Sequence, residues 1–81
     1  MEPNYDNYSP RVIDAKYVKD YIIDVVFSNG VEKRIDFEKY LGGGVFEPLK
    51  NKKYFKKFIV DGWTVSWPNG ADVAPDTLFI D

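Results

Sequence analysis

Three groups of side chains in this 81-residue chain are of types that do chemistry. The carboxylates Asp61, Asp72 and Asp76 fall in the last third of the chain, where they could converge on a hard cation such as Mg²⁺ or divide acid and base work between them. The lysines Lys50, Lys52, Lys53, Lys56 and Lys57 are interleaved with Tyr54, Phe55 and Phe58. Ammonium groups alternating with rings are what a surface tracking single-stranded nucleic acid uses. The third group is Trp63 and Trp67 with the adjoining Pro68, Asn69 and Asp72. Exposed tryptophan is the natural anchor of a protein interface, because such rings dominate binding energy there.

The rest of the composition narrows these readings. The chain has no His and no Cys, so the side chain most used for proton transfer near neutral pH is missing, along with thiol nucleophiles and the usual zinc ligands. Triads and zinc hydrolysis are excluded, and no cofactor is implied. Turn chemistry accounts for the acidic group more simply than catalysis does. Asp61 precedes Gly62 in a hairpin turn, Asp72 follows a Pro-Asn-Gly turn, and Asp76 after Pro75 can cap a last helical turn. The net charge of −2 is too mild for a dedicated nucleic-acid or membrane binder. Its distribution is uneven: residues 48–60 carry five Lys and no acid, and residues 61–81 carry four Asp and no base. No apolar run is long enough to span a membrane, and the first residues lack the basic start and apolar stretch of a signal peptide. A cytoplasmic protein that stays where it is made is the expectation.

These groups must be positioned by strands. Fourteen aromatics stand against only 3 Leu and 3 Ala, and Val and Ile dominate the aliphatics, a bias that favours a sheet. At this length the chain holds one core. Residues 1–10 read as a flexible N-terminal tail and residues 11–81 as a single domain. Val12 to Val18 forms a first strand with Ile13, Ala15 and Tyr17 on one face. After a reversal at Lys19-Asp20, Tyr21, Ile23, Val25 and Phe27 face the core from a second strand. At Ser28-Asn29-Gly30, a two-residue loop would turn the next strand's polar residues inward. A three-residue loop with Gly30 as a left-handed bulge instead pairs Phe27 with Val31 and Ile23 with Ile35, and is predicted. Asp36 caps a helical turn that presents Phe37, Tyr40 and Leu41 on one face, and Gly42-Gly43-Gly44 links it onward. Asn51 caps a short helix ending near Lys56, pinned by Phe46, Leu49 and Phe55. A second hairpin with the two-residue loop Asp61-Gly62 pairs Val60 with Trp63 and Phe58 with Val65, and sets Trp63 and Trp67 on one face. The chain then turns at Pro68-Asn69-Gly70 and ends in a helical turn or short strand. The predicted class is α+β, a small antiparallel sheet of two hairpins with one or two short helices between them.

The stretch Trp67-Pro68-Asn69-Gly70-Ala71-Asp72-Val73-Ala74-Pro75-Asp76-Thr77-Leu78 is distinctive. With Val45-Phe46-Glu47-Pro48-Leu49-Lys50 and Phe27-Ser28-Asn29-Gly30 it resembles a bacterial family of small domains, domain-of-unknown-function family 2442, over about residues 10–80. The resemblance implies a small α+β domain with an antiparallel sheet. It also implies a partner-binding role, since members are often encoded beside another small protein in what has been suggested to be a toxin–antitoxin pair. It carries no catalytic or binding residue across. The leading expectation is therefore a bacterial protein-interaction module without enzymatic activity, the antitoxin-like member of a two-gene pair. Its partner would be another small protein encoded nearby, bound through Trp63, Trp67, Pro68, Asn69 and Asp72. The alternative is a small nucleic-acid-binding domain using the lysine-rich helix.

Overall fold

Two Asn-Gly pairs set two of the chain reversals, and the computed structural model, which describes residues 10–81, shows them built alike. At the first, the Gly30 N–H donates to the Phe27 carbonyl at 2.9 Å and the Phe27 N–H to the Val31 carbonyl at 2.8 Å. The Asn29 side-chain oxygen accepts from the Val31 N–H at 3.1 Å. Gly30 lies at φ +89°, a backbone conformation that costs glycine nothing. The predicted three-residue loop is the one formed, and Ile23 stands opposite Ile35. The second reversal, Trp67 to Ala71, repeats every element: Gly70 N–H to the Trp67 carbonyl and Trp67 N–H to the Ala71 carbonyl, both at 2.9 Å, with Gly70 at φ +90°. The Asn69 side-chain oxygen takes the part of Asn29, accepting from the Ala71 N–H at 3.1 Å.

The first hairpin belongs to a three-stranded antiparallel meander, β1 (Val12–Lys19), β2 (Ile22–Phe27) and β3 (Glu32–Asp36), in that spatial order. Ile23, Val25 and Phe27 are buried as the period-two pattern requires, and Ile35 meets them from β3. β1 departs from expectation at both ends. Val12 pairs with Phe27 but Asp14 with Val26, so Ile13 is an extra residue at a bulge. The bulge gives Val12 the core position expected for Ile13, and Ile13 is 50% exposed. A second irregularity between Tyr17 and Lys19 moves the reversal one residue on, with Lys19 opposite Ile22.

Beyond β3, the Asp36 side chain accepts from the Glu38 N–H and opens a 3-10 turn, Phe37–Tyr40, that buries Phe37. A second 3-10 segment, Gly44–Lys50, buries Leu49. Asn51 then accepts from the Lys53 N–H and caps helix α1 (Lys52–Phe55), whose inner residue is Phe55.

β4 (Ile59–Val60) and β5 (Val65–Ser66) form the second hairpin in a register that differs from expectation. Val60 pairs with Val65, not Trp63, so the loop spans four residues, 61–64, instead of two. A two-residue loop of the favoured type needs positive φ at both positions. Gly62 has it, at +91°, and Asp61 does not. Instead the Asp61 carboxylate folds over the loop, accepting the N–H groups of Trp63 at 3.0 Å and Thr64 at 2.9 Å. The chain ends in helix α2 (Pro75–Phe79), with Ala74 at the N-cap and Asp76 in the first turn, so Asp76 does not serve as the cap. No helix among the described residues is long and apolar enough to cross a membrane.

Rings fill the core. Phe27, Phe37 and Phe55 are fully buried with Ile23, Ile35, Leu49, Val65 and Leu78. Phe37 meets Phe55 edge-on at 6.1 Å between centroids, and Phe27 meets Phe79 at 5.1 Å, the geometry that ring quadrupoles favour. Except for Pro10, which is buried, the expected N-terminal tail lies outside the described residues.

Candidate interaction surface

The two tryptophans, expected on one face, are placed differently, because Trp63 lies within the four-residue loop and Trp67 follows β5. Trp67 is 2% exposed. Its ring packs against Phe37 at 5.9 Å and Phe55 at 5.6 Å, and its indole N–H donates to the Phe55 carbonyl at 2.8 Å. A buried, hydrogen-bonded indole is part of the core and offers nothing to a partner. Trp63 sits on the loop and is 54% exposed.

The Trp63 backbone is fixed although its ring is not covered. Its carbonyl accepts from the Val12 N–H at 2.9 Å, which stitches the loop to the outer edge of β1. The bulged Ile13 follows directly, so two exposed apolar side chains lie at one edge of the sheet. Ile59, 53% exposed, lies on β4, which packs along β1. Apolar residues that could have been buried by ordinary alternation are presented outward by a bulge and a capped loop. Of the other residues predicted for this surface, Pro68 and Asp72 are exposed. Asn69 works within the fold, its amide N–H donating to the Val45 carbonyl at 2.8 Å. Asp72 forms an isolated bridge with Ser66.

The lysine group is also exposed, but its rings are turned inward. Phe55 is buried and Tyr54 and Phe58 are half-buried. Lys50 pairs with Glu47 at 3.3 Å and Lys52 with Asp20 at 3.2 Å. Lys56 lies over the Tyr17 ring at 5.0 Å, Lys52 over Tyr21 at 5.7 Å and Lys57 over Tyr54 at 5.9 Å. The half-buried tyrosine rings are thus occupied by the domain's own ammonium groups, and Tyr17 and Tyr21 spend their hydroxyls on the Asp20 and Lys50 carbonyls.

Among the described residues no group of three or more acidic side chains could hold a metal ion. Asp61 is a loop cap, and the N–H bonds from Thr64 first, then Trp63, hold its carboxyl below the usual range. A carboxylate that sequence reading passed over is more heavily used. Asp81 accepts from the Lys39 ammonium at 2.6 Å and the Tyr40 hydroxyl at 2.7 Å, and Lys33 donates to the Phe79 carbonyl at 2.6 Å and the Asp81 carbonyl at 2.9 Å. Together they tie the end of the chain to β3 and the turn that follows it. No local sequence signal announces contacts made across some forty residues.

The tie has a pH signature. The Lys39 bond, then the Tyr40 bond, holds the Asp81 carboxyl below its ordinary value, so this stabilisation is present above the unfolded carboxylate range and is lost as pH falls through the depressed value. Asp81→Asn is expected to cost on the order of 1 kcal/mol at pH 7. The gap from wild type should close in strong acid, where both chains are neutral at that position. Urea titrations at several pH values measure this, and a gap independent of pH would contradict it. Burial, reinforced by Asp81, pushes the Tyr40 phenol up to about 12.

The fold and surface define a small α+β domain with an apolar edge. The family model for protein of unknown function (DUF2442) matches residues 12–79, and the chain belongs to that family. No curated protein and no solved structure matches it.

Proposed function

We propose that this protein is a non-catalytic, cytoplasmic protein-interaction module that binds its partner through the apolar edge formed by Trp63 and Ile13. The observation that supports this is Trp63 itself, a large ring left 54% exposed on a loop whose backbone is pinned on both sides. A ring carried on a fixed backbone has only its own side-chain torsions to lose on binding, which favours such residues as anchors. The occupant we favour is a small protein encoded by an adjacent bacterial gene, with this chain as the antitoxin-like member of the pair.

Co-expression with the adjacent gene product tests the reading. Trp63→Ala is expected to reduce affinity at least tenfold, in line with the roughly 2 kcal/mol or more that an anchor ring contributes. Because the ring makes little core contact, the melting temperature should move by no more than a few degrees. No complex with the wild-type chain, or full retention of binding by the variant, would overturn the proposal.

Nucleic-acid binding by Lys50, Lys52, Lys53, Lys56 and Lys57 is supported by the exposure of all five, and opposed by the inward-facing rings. Salt-sensitive gel shifts with single-stranded oligonucleotides would favour it over the first reading.

A further inference from the structure

The two edges of the meander are treated differently. The outer edge of β1 is stitched to the second hairpin through Val12 and Trp63. Among the described residues, β3 has only β2 as a neighbour. Its hydrogen-bonding phase follows from the residues at its ends: Phe27 bonds to Val31, and Phe37 donates to Tyr21 at 2.7 Å. Lys33 and Ile35 therefore face β2 with their backbone groups, opposite Val25 and Ile23. Glu32 and Arg34 turn their N–H and C=O groups outward, along an edge that pairs with no further strand among the described residues, whereas the Asp36 carbonyl is taken up by the 3-10 turn it caps.

The side chains on the open face form rows across the strands. One row runs Lys16, Asp24, Arg34, with Arg34 donating to Asp24 from Nε at 2.8 Å and Nη2 at 3.1 Å. The next runs Asp14, Val26, Glu32. At the β3 edge the first row ends positive and the second ends negative. An antiparallel copy of β3, centred on Lys33, would set Glu32 opposite Arg34 and Arg34 opposite Glu32. Each pair would exchange both its backbone bonds. Arg34 retains N–H groups beyond the two given to Asp24. A register centred on Arg34 would oppose Arg34 to itself and Glu32 to Asp36, which like-charge repulsion disfavours. A register centred on Ile35 would set Arg34 opposite Asp36, but the Asp36 carboxylate and carbonyl are both committed to the 3-10 turn, which keeps its backbone from exchanging a pair of bonds. Lys33 meets its own copy in the favoured register, but on the opposite face, where each ammonium is drawn to the Phe79 and Asp81 carbonyls.

We infer that β3 is a self-recognition edge, and that two copies of this chain pair antiparallel along it into one continuous sheet, held in register by reciprocal Glu32–Arg34 pairs. The contact is narrow, so the dimer is weak. It leaves Trp63, at the other side of the sheet, free, and so does not depend on the partner-binding reading.

Sedimentation equilibrium of the full chain from about 10 μM to about 1 mM tests it. Wild type is expected to show a reversible monomer–dimer equilibrium within that range. Glu32→Arg places arginines opposite each other and should weaken dimerisation at least tenfold. A second chain carrying Asp24→Asn with Arg34→Glu, the first change removing a clash within the sheet, should likewise be monomeric. Mixed, the two variants restore opposite charges at both pairs and should dimerise about as well as wild type. Circular dichroism establishes that each variant is folded. A wild-type chain that stays monomeric throughout, a Glu32→Arg chain that dimerises undiminished, or folded variants that fail to associate on mixing would each overturn the inference.

Discussion

Trp67→Ala is expected to leave the domain largely unfolded at 37 °C. Removing a buried Trp ring typically costs about 3–5 kcal/mol, and the lost indole N–H leaves the Phe55 carbonyl without its partner, at roughly 1–3 kcal/mol more if water cannot reach it. A domain of this size has a total stability near the low end of about 5–15 kcal/mol. The ring also joins three elements, since it touches Phe37 after β3 and Phe55 on α1 from the end of β5. Trp67→Phe keeps most of the packing and loses the hydrogen bond, and should fall between the two. Thermal denaturation followed by far-ultraviolet circular dichroism orders the three proteins. An alanine variant melting within a few degrees of wild type would show that the ring is not structural.

Thr64→Val is the second large effect. Thr64 is fully buried, and its hydroxyl donates to the Val73 carbonyl. Valine has nearly the same shape, so the packing is retained while a buried carbonyl loses its donor, at about 1–3 kcal/mol. For a domain of this length that corresponds to a fall of roughly 5–20 °C in melting temperature. Thr64→Ser retains the hydroxyl and loses a methyl group. If the hydrogen bond matters more than the methyl, the serine variant will be the more stable of the two, and the reverse order would remove the argument.

Much of the fold was legible because it rests on short-range rules. Period-two alternation placed Ile23, Val25 and Phe27 inward, and the incompatibility of a two-residue loop with that pattern selected the turn at Gly30. Asp36 and Asn51 sit at the caps where their side chains were expected. The errors arose where one residue changes the count. A bulge in β1 adds a residue that no propensity signals, exchanging Ile13 for Val12 in the core. At the second hairpin, Asp-Gly is the usual signal of a two-residue turn, but the Asp61 carboxylate satisfies two N–H groups of a longer one, and Asp61 lacks the positive φ that the shorter turn needs. The candidate surface followed these errors. Trp63 and Trp67 share a strand face only if the loop is short. The tie made by Lys33, Lys39 and Tyr40 to the chain end depends on tertiary closure and was invisible to any local rule.

The opposite placement of the two tryptophans equips the domain with a pair of built-in optical probes. Trp63, in water, should emit towards the red and be quenched readily by iodide, whereas Trp67, enclosed by Phe37 and Phe55, should emit towards the blue and resist the quencher. Unfolding would then be recorded by the blue component and occupation of the β1 edge by the red one, so the same unlabelled sample can report both events at separate wavelengths.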